Sequence, residues 1–259
     1  MKAPWRMAPL ALVTAACLLA KGHGSPTRLE PAHAWCAPSA SRLLGCGEGG
    51  VNLLPFVAHG ILRGVVLAAG VAALAFVIGT VVGAAAALRG GSVERATERT
   101  RSAASLPGFL LAMVVLSAVR APSRAHLGAV FLLTAWAPFA RLALSQTRVL
   151  REATFVSAAV ALGAAPGHVL LRHIVPNLVG VGRVQLGATA AGVVVGEAAL
   201  AFVGLGPADG VSLGALMDQG VAGMLRAPHV LALGSLSVLV TSGALLVASG
   251  SATPIRSDR

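Results

Sequence analysis

Residues 61–88 carry one charge, Arg63, and are otherwise almost wholly apolar. A run of about 20 apolar residues is the length that crosses a bilayer as a helix. Lipid offers no hydrogen bonds, so the backbone of such a run must satisfy itself as a helix. Five further apolar stretches occupy residues 7–20, 103–119, 127–144, 184–205 and 229–249. Only 11% of residues are charged and 56% are hydrophobic. A soluble domain carries about 25% charged residues, so the remaining charge is too sparse to cover a water-facing surface. Disorder is excluded by the same numbers, because it requires low hydrophobicity. The expected class is therefore all-α: a polytopic membrane protein with about six transmembrane helices.

The net charge is +11. In a soluble chain that would suggest nucleic acid. Here the basic residues sit between apolar spans, so no nucleic-acid partner is expected. Cytoplasmic loops collect Lys and Arg, and anionic lipid supplies the counter-charge. With the N-terminus inside, 12 of the 20 basic residues fall on inner segments and 7 on outer ones, with Arg183 at an inner edge. This bias favours cytoplasmic N- and C-termini.

The first stretch is short for a span and also fits a signal peptide. Cys36 and Cys46 share one polar segment. They could pair if that segment is extracytoplasmic, or remain free thiols. Gly79-x-x-x-Gly83 and Gly192-x-x-x-Gly196 are small-residue patterns that permit close helix approach, but they are weak signals among 31 glycines. Glu197 is the one acidic residue well inside a span. Such a residue serves a pathway or a helix–helix hydrogen bond, or else lies near enough to the outer face to reach water.

The inner segment 145–182 is unusual. Val156, Ala159, Val160 and Gly163 recur at helical spacing, then Pro166-Gly167 marks a break. A second short helix over 168–174 would end before Pro176. The expected shape is a cytoplasmic helix-turn-helix, which is either a docking element or an amphipathic connector.

Catalytic signatures are missing. The two lysines, Lys2 and Lys21, do not fit a phosphate-binding loop. No Gly-x-Ser-x-Gly elbow appears. His168 and His173 are five apart and do not share a helix face as a zinc pair would. No enzyme, metal or cofactor is expected.

The segment FVSAAVALGAA at 155–165, followed by Arg172-His-Ile-Val-Pro-Asn177, resembles the cytoplasmic coupling loop of binding-protein-dependent ABC transporter permeases. The subgroup it resembles is the second permease subunit of dipeptide, oligopeptide and nickel importers, whose loop reads YVEAARALGAS and then RHILPN. Gly196-Glu-Ala-Ala-Leu-Ala-Phe-Val-Gly-Leu-Gly206 is similar to that subgroup's AEASLSFLGLG. Gly90-Gly-Ser-Val-Glu-Arg95, Leu106-Pro-Gly-Phe109, Trp136-Ala-Pro-Phe-Ala-Arg141 and Leu44-Gly45 also have counterparts, in the same order.

The resemblance implies a permease subunit of an ABC importer, moving peptides or similar small solutes inward across a bacterial inner membrane. It implies as partners ABC ATPase subunits, a second permease subunit and an extracytoplasmic solute-binding protein, alongside membrane lipid. It places Ser157, Ala158, Ala159, Gly163, Arg172, His173, Pro176 and Asn177 in the loop that docks on the ATPase. It also favours retention of the first helix. The implied organisation is an N-terminal span with the start of an outer loop (1–43), a permease domain (44–250) and a cytoplasmic tail (251–259). Ser157 stands where the family has Glu, and Val160 where it has Arg. Cys46-Gly-Glu-Gly-Gly50 replaces the usual charged outer-loop text. These departures leave two alternatives, a self-sufficient carrier or channel and a degenerate permease-like scaffold.

Overall fold

The computed structural model describes residues 7–22, 24–89, 108–151, 154, 161–163, 168, 172 and 175–250. Seven α-helices order these residues: α1 Ala8–Lys21, α2 Leu53–Arg89, α3 Gly108–Ser117, α4 Arg124–Arg151, α5 Val175–Phe202, α6 Leu213–Ala222 and α7 Pro228–Ser249. No named β-strand occurs among the described residues, and only two isolated bridges are present. The chain is an all-α, polytopic membrane protein.

Four helices, α2, α4, α5 and α7, are long and apolar enough to cross a membrane. Among the described residues each of the six apolar stretches contributes a helix, but α1 and α3 are shorter. The 14 residues of α1 reach about 21 Å at 1.5 Å per residue, against a hydrocarbon core of about 30 Å. The sequence expectation placed the third span over 103–119; its first residues lie outside those described. The expected fifth span began at 184, whereas α5 begins at Val175. Most of the short helix expected over 168–174 lies outside the described residues, and Pro176 sits in the first turn of α5. Its missing N–H is harmless there, because first-turn N–H groups have no helical acceptor.

The bundle is held by close backbone approach as well as by bulky side chains. A Cβ on Gly79 or Gly83 would overlap the α4 backbone at Trp136 or Ala140. This glycine pair is what lets α2 lie directly on α4. Gly192 of the second pattern has open space beside it, while Gly196 faces the Phe131 ring. Ala68, Val71 and Ala72 of α2 meet Ala190, Ala191, Val193 and Val194 of α5 in the middle of the bundle. At one end, Leu53, Phe56 and Ile61 of α2 pack with Leu213 and Leu216 of α6 and Val230 of α7.

That same end is roofed by the segment between α1 and α2. Cys36 and Cys46 form a disulfide, which decides the pairing that the sequence left open. Arg42 donates to Glu30 and to Cys46 Sγ, the latter at 2.8 Å. The hydrogen bond and charge of Arg42 hold the Glu30 carboxyl below its ordinary pKa, outweighing burial, with Arg28 and His33 adding to the pull. Trp35 packs against Gly223, and Gly45 lies beside His229. The short helix α6, not anticipated from the sequence, is capped at Ser212, whose side chain accepts from the Ala215 N–H at 3.1 Å.

Candidate functional site

Two regions carry the candidate chemistry. The first is the segment between α4 and α5. Ser157, Ala158, Ala159 and His173 lie outside the described residues. Gly163 is exposed in a turn at φ +84° with nothing near its Cβ position. Backbone conformation alone, without packing, therefore favours glycine there. Arg172 is exposed, and Pro176 and Asn177 are exposed on the first turn of α5. Leu162, next to Gly163 in the sequence, has its apolar side chain 89% exposed.

The second region is the roofed end of the bundle. Glu197 of α5 is buried, 6% exposed. A Cβ on Gly64 of α2 would lie 3.3 Å from its Oε2. The small residue on α2 is what makes room for the carboxylate. No described residue donates a hydrogen bond to it. Asp209 lies in the α5–α6 connection. Arg124 Nη1 donates to its Oδ2 at 2.6 Å and Arg124 Nη2 to its Oδ1 at 3.0 Å. Arg63 of α2 donates to the same Oδ2 at 3.0 Å. Arg124 Nη2 also donates to the Val211 carbonyl oxygen at 2.8 Å. One carboxylate thus ties α2, α4 and the α5–α6 connection together. Burial works to raise the Asp209 pKa. The Arg124 hydrogen bonds and charge, the Val211 N–H and the Arg63 charge outweigh it and hold the carboxyl below its ordinary range.

Sequence reasoning singled out Glu197 but missed the Arg63–Asp209–Arg124 cluster. Arg63 and Asp209 are 146 residues apart, so no local spacing could signal them. The weak hint was Asp209 itself, one of two acids in an outer segment counted only for Arg226.

The family described as the binding-protein-dependent transport system inner membrane component matches residues 76–251. The chain belongs to this family. The match takes in α3, α4, α5, α6, α7 and the α4–α5 segment, together with α2 from residue 76 onward. The family assignment therefore rests on the helices that build the bundle and on the α4–α5 segment.

Among curated relatives, the chain is 28% identical over 188 residues to the oligopeptide transport system permease protein OppC of Haemophilus influenzae. The match covers 72% of the chain and 60% of that protein. It is 29% identical over 208 residues to the glutathione transport system permease protein GsiD of Pectobacterium atrosepticum, covering 79% of the chain and 68% of the relative. The GsiD protein of Shigella dysenteriae is 34% identical over 138 residues, covering 53% of the chain and 45% of the relative. The chain thus spans about half to two thirds of the length of these relatives.

Proposed function

We propose that the chain is the transmembrane permease subunit of an ABC importer, carrying peptides or similar small solutes inward with energy from a separate ATPase subunit. The observation that carries this reading is the family match over 76–251, which includes the α4–α5 segment. The named relatives support the peptide class: one is an oligopeptide permease and the others are glutathione permeases.

In this reading the proposed permease domain is 44–250, flanked by the N-terminal span (1–43) and a tail (251–259). Both termini lie in the cytoplasm of a bacterial inner membrane. The partners are ABC ATPase subunits, a second permease subunit and an extracytoplasmic solute-binding protein. The segment carrying Ser157, Ala158, Ala159, Gly163, Arg172, His173, Pro176 and Asn177 docks on the ATPase. A helix with small residues can seat deeply in a partner's cleft, and closure of that partner then moves the spans as rigid bodies. The roofed end faces outward, where a binding protein would deliver solute. The chain itself catalyses no reaction. Glu197, buried on α5 against α2, serves the pathway or the packing of these helices. Loss of transport in Glu197→Gln at an unchanged melting midpoint assigns it to the pathway.

Purification in gentle detergent from the native host, followed by mass spectrometry of the retained proteins, tests the proposal. Recovery of an ATPase and a second permease is expected, with no ATPase activity in the isolated chain. Solute uptake by the chain reconstituted alone would overturn the reading in favour of a self-sufficient carrier.

A further inference from the structure

A cavity of about 550 Å³ opens beside α2 near the roofed end of the bundle. Its polar lining is basic: Lys21 at the end of α1, His59 and Arg63 on α2, and Arg124 at the start of α4. Among the described residues no carboxylate lines it. Asp209 answers both arginines from outside the cavity, which leaves Lys21 without an ion-pair partner among the described residues. Arg124 Nε is buried with no hydrogen-bond partner among the described residues. His59 commits Nδ1 to the Pro55 carbonyl oxygen at 2.8 Å, so its second ring nitrogen remains for the cavity.

The rest of the wall is aliphatic: Leu62, Val66 and Leu67. Val66 is 72% exposed, so the cavity opens sideways, away from the bundle interior. Below it α2 continues as an exposed aliphatic stripe through Leu74, Val77, Ile78 and Val81. From Val66 to Val81 this stripe runs about 22 Å at 1.5 Å per residue. That exceeds the depth of one leaflet, about 15 Å as half of a 30 Å core. Gly70 leaves open space along it.

A cationic mouth over an aliphatic wall of leaflet depth, open toward the membrane, matches an anionic amphiphile. We propose that this cavity, formed by α1, α2 and α4, is a binding site for one anionic phospholipid, with its phosphate among Lys21, Arg63 and Arg124 and an acyl chain along α2. Lys21 is long enough to keep its apolar stem in the wall and its ammonium at the headgroup. The site needs only the membrane-embedded fold, and it holds whether or not the chain transports peptides.

Native mass spectrometry and thermal melting of the purified full-length chain in neutral detergent test this proposal. The probes are dioleoyl phosphatidylglycerol and dioleoyl phosphatidylcholine. The wild type is expected to retain one phosphatidylglycerol in preference to phosphatidylcholine. Lys21→Gln is expected to weaken phosphatidylglycerol retention about fivefold, the effect of one basic residue at an anionic surface, and to leave phosphatidylcholine unchanged. Val66→Trp, at an exposed position that alters no charge, is expected to weaken the retention of both lipids. Equal retention of the two lipids by the wild type would overturn the proposal. So would equal phosphatidylglycerol retention by the wild type and Lys21→Gln with melting midpoints alike. Displacement of the lipid by inorganic phosphate at matching concentration would reassign the cavity to a free anion.

Discussion

Arg124 and Asp209 meet through two hydrogen bonds, at 2.6 and 3.0 Å, although they are 85 positions apart in sequence. The fork geometry of the guanidinium fixes both oxygens, and Arg63 adds a third bond at 3.0 Å. This junction pins the α5–α6 connection onto α2 and α4 at the roofed end.

Removing the carboxylate should loosen that end. Asp209→Asn is expected to lower stability by about 1–2 kcal/mol, since the pair is only partly exposed and two guanidinium groups lose their shared negative charge and one acceptor oxygen. The pH dependence has a definite sign. Asp209 has its pKa depressed in the folded state, so its contribution is full above the unfolded carboxylate pKa, near 3.8, and is lost as pH falls through the lower folded value. Melting midpoints measured from pH 6 downward should show the wild type losing its advantage over Asp209→Asn below about pH 4. Parallel curves for the two proteins would remove the junction from the stability account.

The α2–α4 contact makes a second prediction. A Cβ at Gly83 overlaps the Ala140 backbone, whereas one at Gly70 meets nothing within 4 Å. Gly83→Ala should therefore destabilise by about 1–3 kcal/mol, the usual cost of overpacking. Gly70→Ala should be neutral or stabilising by up to about 1 kcal/mol, because alanine is the better helix residue. Thermal melting in one detergent compares the pair directly.

The proposed coupling to an ATPase subunit gives a third. In the assembled complex, Ser157→Glu restores the family residue and should raise the solute-stimulated ATPase rate. Gly163→Val places a β-branched residue at φ +84° and should lower that rate, with a strain of about 1–2 kcal/mol confined to the loop. An unchanged rate in Ser157→Glu would show that this position does not limit coupling.

The disulfide provides a test of orientation. The Cys36–Cys46 bridge closes a loop with a sequence separation of 10, and such a cross-link contributes about 2–3 kcal/mol by limiting the unfolded chain. In intact cells a membrane-impermeant reductant followed by a membrane-impermeant maleimide should label Cys36, which is half-buried, while Cys46, 0% exposed, stays protected. Cys17 is buried and should stay unlabelled. Labelling that requires membrane disruption would invert the proposed orientation.

The physical class of this protein was legible from residues alone. Long apolar runs in a chain with little charge must form helices in lipid, because no other backbone arrangement satisfies itself there. Motif order then pointed to the family, and the match over 76–251 bears that reading out. Gly79 and Gly83 were visible as a pattern, but a chain rich in glycine offers many such patterns. Only the packing of α2 on α4 separates this pair from Gly192, which faces open space. The pairing of Cys36 with Cys46 and the helix α6 were likewise decided by the folded chain. The Arg63–Asp209–Arg124 junction was beyond sequence reasoning for a plain reason. Its members stand on three elements far apart in sequence, and charge attraction depends on distance in space, which the bundle alone sets.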